Sequence, residues 1–393
     1  MAETLNITPE VPIPAHLAGQ VQSKLAYVDE AIAAASVAED GSQITLTLRG
    51  ESDAERLTAK VQQVVLEMAK GAMAPKVEVL EDQLIRSTPY SADPMPELEA
   101  RGEVSEEHTG IFSFGPLMSD LMQAFEGYFL ELAAEFGAKP YRFPTLISAE
   151  KLGRVNYFRA FPHSLTFATH LREDLDVINN FAEGARVEAA GLNTGMESFS
   201  RIQALLSPAV CYHLYFALAD RELPGGQLTA TAVGNCFRYE STNLSSLERL
   251  WNFTMREVIF VGSADFVLEN REKARLHMRE ALEEMGLAYM VESANDPFFV
   301  GEFRRQAAFQ NAFQLKYEIR ARLPFKDSTL AVGSYNYHQD FFGRHLNISL
   351  PDEGGPVHTG CVAFGLERMA YAFLAQYGLD PKLWPAAMRE RMA

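Results

Sequence analysis

The 393-residue chain is 47% hydrophobic and 22% charged, enough for one large domain and a smaller one. Its formal charge of −17, with seven Lys/Arg against sixteen Asp/Glu over residues 1–99, argues against a nucleic-acid partner gripped through phosphates. No apolar run reaches the roughly 18–20 residues of a membrane span. Met1 to Asn6 shows no secretory pattern either, so a cytoplasmic location is expected. Three cysteines in so long a chain make no disulfide framework, leaving Cys211, Cys236 and Cys361 as thiols for burial or for a metal.

Residues 1–90 read as a small α/β domain. Ala15 to Ala35 has helical periodicity, and Gln43 to Leu48 alternates as a half-buried strand. Ser52, three residues before Glu55, reads as a capping box opening a helix to about Lys70, and Lys76 to Leu80 as a second strand. Residues 91–109 read as a linker, rich in acids and carrying Pro94 and Pro96. Residues 110–393 form the main domain. Leu117 to Phe136 is an apolar helix stopped by Gly137, followed by a strand from Tyr141 to Ile147 whose Pro144 needs an edge or a bulge. Residues 171–206 show helix and loop signals. Thr229–Tyr239 and Phe253–Val261 flank a polar loop as a long hairpin, and Ala264–Leu287 is a charged amphipathic helix. Strands are expected over Gln314–Leu323, Ser328–Tyr337 and His345–Leu350. Gly360 to Arg368 leads into a helix through Ala375. Strands without regular intervening helices predict an α+β domain with an antiparallel sheet.

Three arginines stand out: Arg238 at the end of the first hairpin strand, Arg249 in its loop, and Arg368 after a glycine-bearing turn. A planar guanidinium presents several donors to phosphate oxygens, although each arginine alone also reads as a surface ion pair. Phe237-Arg238-Tyr239-Glu240, the loop with Arg249, and Phe253 to Glu257 resemble motif 2 of class II aminoacyl-tRNA synthetases. Gly365-Leu366-Glu367-Arg368 is similar to motif 3, and Leu117 to Pro144 to motif 1, the dimer-forming helix and strand. The resemblance covers residues 110 to 385. It implies a six- or seven-stranded antiparallel sheet flanked by helices, a bent ATP with magnesium, and a homodimer. Arg238 would meet the α-phosphate and Arg368 the γ-phosphate as the catalytic pair. Arg249 would help hold the phosphates, Phe253 would stack on adenine, and Glu240 would meet the adenine or substrate side.

If those motifs are right, Cys211, Glu257 and Cys361 converge on the amino-acid pocket. Two thiolates and a carboxylate suit zinc and leave a fourth tetrahedral position open. The set resembles the atypical archaeal seryl-tRNA synthetases and their bacterial relatives, the amino acid:carrier-protein ligases. The stretches Cys211 to Tyr215 and Ser334 to His338 resemble the carrier-protein branch. Tyr212, His213 and His338 read equally as satisfied polar groups, and Cys236 as a core thiol. Thr329 to Ser334, where ordinary seryl enzymes hold magnesium, has no carboxylate, leaving Glu318 as the candidate. The resemblance implies activation of a small amino acid (glycine, alanine or serine class) as its adenylate and transfer to a carrier protein's phosphopantetheine thiol. The alternatives are a zinc-dependent seryl-tRNA synthetase and a non-catalytic paralogue acting as a binding or regulatory subunit.

Overall fold

The computed structural model of the protein describes residues 3–50, 52–70, 77–189, 191–294 and 315–392. Its first unit is a three-stranded antiparallel sheet of β1 (Glu3–Ile7), β2 (Ile32–Val37) and β3 (Ile44–Leu48), with β3 in the middle. Helices α1 (Ala18–Leu25) and α2 (Ala54–Ala69) cover it, and Val21, Leu25, Ile44, Leu46, Val61 and Val65 fill a core of its own. The predicted helix over Ala15–Ala35 therefore stops halfway. Asp29 accepts from the Ala31 N–H at 3.1 Å and turns the chain into β2, whose Ala-Ala-Ala run pairs with β3 instead of coiling. The α2 cap is Asp53, accepting from the Arg56 N–H, and not Ser52.

The expected strand at Lys76–Leu80 begins outside the described residues; the strand formed there is β4 (Val79–Asp82), which joins the large sheet and not the first unit. A short strand shows its period in sequence but not its partner, and here the partner lies some two hundred residues away. The stretch read as a linker is built into the main core: α3 (Met95–Ala100) buries Met95 and Leu98, and β5 (Val104–His108) pairs with β6 (Ile111–Phe114). Pro94 and Pro96 sit at the start of that helix, where a missing N–H costs nothing.

Next come α4 (Pro116–Glu135) and β7 (Lys139–Pro140). The strand expected over Tyr141–Ile147 is displaced: β7 precedes it, and Leu146–Ser148 pairs separately with Ala204–Leu206. Strands β8 (Leu228–Phe237) and β9 (Asn252–Gly262) form the hairpin. The remaining strands are β10 (Tyr289–Ser293), β11 (Lys316–Leu323), β12 (Ser328–Gln339) and β13 (His358–Gly365). The predicted start of β11 at Gln314 lies outside the described residues. Most of His345–Leu350 is not strand, because α7 (Phe341–Leu346) runs into a two-residue strand at Ile348–Ser349.

The sheet has eight strands in the order β4-β10-β11-β12-β13-β9-β8-β7, antiparallel except for the β8–β7 pair. Edge strands β4 and β7 account for the excess over the six or seven expected. Three helices cover one face of the sheet: α4, α6 (Ala264–Glu284) and α8 (Leu366–Tyr377). Their core includes Val258, Phe260, Val362 and Phe364. The opposite face carries Glu257, Ile259, Cys361 and Ala363, partly covered by α5 (Cys211–Ala217). Among the described residues, no helix is long and apolar enough to cross a membrane.

Candidate active site

Register builds the first half of the site. In the central β9–β13 pair Glu257 stands opposite Ala363 and Ile259 opposite Cys361, so the alternating side chains put Glu257 and Cys361 on one face. Helix α5 lies over that face and begins at Cys211. The two sulfurs and a Glu257 carboxylate oxygen all lie within 4.8 Å of one another, and all three residues are buried. Glu257 Oε1 accepts from the Val210 N–H at 3.2 Å, whereas its buried Oε2 has no hydrogen-bond partner. From β12 the Asn336 amide donates to Cys361 Sγ at 3.4 Å and to Ser334 Oγ at 2.9 Å.

The hydrogen bond to the Cys361 thiol, together with burial, pushes the Cys211 thiol well above its ordinary value; burial likewise raises the Glu257 carboxyl. A buried acid with one oxygen orphaned beside two thiols is costly as it stands, since buried polar groups are nearly always satisfied. A cation binding there would satisfy the oxygen and hold both sulfurs as thiolates, and the donor set fits zinc.

Around the cluster the residues singled out in Cys211–Tyr215 and Ser334–His338 fill aromatic and polar contacts. Tyr212 meets Tyr157 and Phe342 edge-on at 5.6 and 5.1 Å. His213 shares a hydrogen bond with Ser207 Oγ at 3.0 Å and stacks on Phe143; burial lowers it to about 4, so it is neutral near pH 7. His338 Nδ1 lies 3.1 Å from Thr359 Oγ1. Cys236 sits apart, buried with Val210 and Ala232, as a core thiol.

The second half gathers charge. Arg238, just past β8, donates from Nε to the Pro208 carbonyl at 3.0 Å, with its guanidinium 5.4 Å from the Phe253 ring centre. Arg249 pairs with Glu240 in the hairpin loop. Arg368, in the first turn of α8, donates to the Ala331 carbonyl at 3.3 Å. Burial lowers its pKa; Glu240 and Glu318 oppose that, while Arg249 and Arg238 add to it, so all four act on Arg368. Glu318, on β11, pairs with Lys316 and Arg320, which outweigh burial and hold its carboxyl below the ordinary value.

Two contributors were not assigned a role from sequence. Glu367 is buried and accepts the Thr254 N–H on both oxygens, at 2.8 and 2.9 Å, tying the start of α8 to β9. Its signal was an acid in the first turn of an otherwise apolar helix, where the dipole favours it. Asn336 is the other, and its in-phase spacing with Ser334 on β12 was the available clue.

A guanidinium-lined hairpin and helix start, on the same open sheet as a Cys–Glu–Cys cluster, define a ligase of the class II synthetase type. The fold matches that of the seryl-tRNA synthetase of Methanopyrus kandleri, solved in complex with an A. aeolicus tRNASec: TM-score 0.71, 22% identity, covering 99% of this chain and 77% of that one. The type-2 serine–tRNA ligase of Methanopyrus kandleri is 25% identical over 384 residues, covering 91% of this chain and 72% of that protein. Amino acid–[acyl-carrier-protein] ligase 1 of Bradyrhizobium diazoefficiens is 33% identical over 305 residues, covering 77% of this chain and 91% of that protein. The chain belongs to the amino acid–[acyl-carrier-protein] ligase family. No protein-family model matches it.

Proposed function

We propose that the protein activates a small α-amino acid with ATP and passes it to the phosphopantetheine thiol of a carrier protein. The amino-acid carboxylate attacks the α-phosphorus and pyrophosphate leaves. The carrier thiol then attacks the acyl carbon, loses its proton, and AMP departs. Arg238 meets the α-phosphate and Arg368 the γ-phosphate, Arg249 steadies the phosphate tail, Phe253 stacks on adenine, and Glu240 stands at the adenine edge. Preorganised guanidinium groups neutralise charge developing on the phosphates without reorganising during the reaction. Glu318 is the candidate carboxylate for magnesium.

Cys211, Glu257 and Cys361 would hold zinc, which when bound offers its open position to the substrate amino group. Tyr215 and Phe342 pack in the same core as the two cysteines, which favours a glycine-, alanine- or serine-sized side chain. Three thiols suit a reducing cytoplasmic compartment. A homodimer through α4 and β7 is implied by the motif 1 resemblance, with the same patch facing itself.

The observation that carries this reading is the buried Cys–Glu–Cys cluster with its orphaned oxygen. The test is amino-acid-dependent ATP–pyrophosphate exchange, repeated after chelation and zinc restoration, then transfer of labelled amino acid to a phosphopantetheinylated carrier protein or to tRNA. Exchange that needs zinc, with label on the carrier, supports the proposal. Label on tRNA alone favours the seryl-tRNA reading, for which the likeness to the Methanopyrus fold speaks. Against it stands the acidic first unit.

A further inference from the structure

The first unit touches the site directly. Tyr27, just beyond α1, donates its hydroxyl to the Tyr239 carbonyl at 3.3 Å. Asn243 donates its side-chain amide to the Ser23 carbonyl at 2.9 Å, and Ser241 its hydroxyl to the Ala26 carbonyl at 3.4 Å. The Tyr27 ring meets His163 edge-on at 5.2 Å, and in that same turn the Ser164 carbonyl accepts the Tyr239 N–H at 3.0 Å. Three of the five residues from Tyr239 to Asn243 are thus fastened to residues 23–27. Between them lies Glu240, whose partner Arg249 is at the far end of the loop.

The loop also needs fastening. Ser241 and Ser246 hold φ of 52° and 41°, left-handed conformations that non-glycine residues keep only where their surroundings over-determine them. The Ser241 hydroxyl that reaches Ala26 belongs to one of these strained residues. Burial, then Glu240, raises the Tyr27 phenol, so it stays a protonated donor at neutral pH.

We propose that Tyr27 is a positioning residue for the loop bearing Glu240 and Arg249, so that the first unit braces the nucleotide side of the site. The inference rests on the reading of those two residues as nucleotide-binding. It gives an acidic unit a role that needs no nucleic acid, and it couples anything that moves α1 to adenylation.

The test uses the full chain with Tyr27→Phe and, from the loop side, Asn243→Ala. The control is Gln62→Ala, whose side chain bonds to the Glu10 N–H and Thr8 carbonyl within the first unit. Two readouts are needed: ATP titration by tryptophan fluorescence, Trp251 lying 4.9 Å from the Tyr239 ring, and ATP–pyrophosphate exchange. Each loop variant is expected to weaken ATP binding and raise KM for ATP about three- to tenfold, the range for one lost hydrogen bond, with kcat within about twofold. The control keeps the parent KM, and all three keep the parent melting temperature. Unchanged ATP affinity in both loop variants overturns the proposal, as does a loss that merely tracks a fall in melting temperature. Absence of exchange in the parent protein, with ATP binding still weakened by the variants, would instead count against the adenylation chemistry.

Discussion

Cys211, Glu257 and Cys361 owe their positions to backbone register and one helix start, whereas Glu240 and Arg249 owe theirs to contacts arriving from distant parts of the chain. The cluster sits on the central β9–β13 pair, where side-chain direction is fixed by alternation and the surroundings are buried. The loop between β8 and β9 is held from outside: by residues 23–27 on one side, by the Gly110 carbonyl accepting the Trp251 N–H, and by Lys326 pairing with Glu248. A site can thus combine a rigid cluster set by sheet register with a clasp held by contacts from outside it. Substitutions in the two regions should fail in different ways.

The largest expected effect is in the cluster. Cys361→Ser, Cys211→Ser and Glu257→Gln should each remove bound zinc, read by metal analysis, and lower exchange by more than the roughly 10–100-fold of an outer-shell change. Zinc retained at the parent level in all three would break the comparison at its rigid end. Next, Arg238→Ala and Arg368→Ala should cut exchange about 10²–10³-fold while zinc content and melting temperature stay put, as for loss of one preorganised donor. Asn336→Ala, removing the amide at Cys361 Sγ, should weaken zinc about 10–100-fold in a chelator competition and leave ATP binding alone. Glu367→Ala removes the charged acceptor of the part-buried Thr254 N–H. Denaturant titration should show a loss of about 1–3 kcal/mol.

The smallest effect is a pH dependence at the clasp. His163 is held neutral, lowered to about 4 by burial and by Lys24. The unfolded chain then binds an extra proton between pH 4 and the ordinary histidine value of about 6.5. Stability is therefore whole above about pH 6.5 and declines as pH falls toward 4, and His163→Gln should flatten that part of the melting-temperature profile. Parallel profiles for the two proteins would remove His163 from the account.

The rigid half was the more legible in sequence. Phe253–Val261 read as a strand and Gly360–Arg368 as the approach to a helix, and the resemblance to motifs 2 and 3 tied Glu257, Cys361 and Arg368 to one site. The clasp was opaque: Tyr27 and Tyr239 are 212 residues apart, and nothing in the helical pattern of Ala15–Ala35 marks where α1 ends and β2 begins. Pairing choice was equally hidden at β4, whose few residues fit either sheet. The acid- and proline-rich stretch before residue 109 suggested exposure, yet Met95, Leu98 and Val104 are buried in the main core.

Strand β4 bears on where the chain can be cut. Its Glu81 pairs with Arg275 and accepts the Tyr289 hydroxyl at 2.9 Å, and Glu78 just ahead accepts the Tyr317 hydroxyl at 2.9 Å. A version trimmed at residue 90, where composition shifts, would strip the sheet's outer rung and leave Tyr289–Ser293 as a bare edge open to pairing with other molecules. Trimming ahead of Val77 would spare that rung.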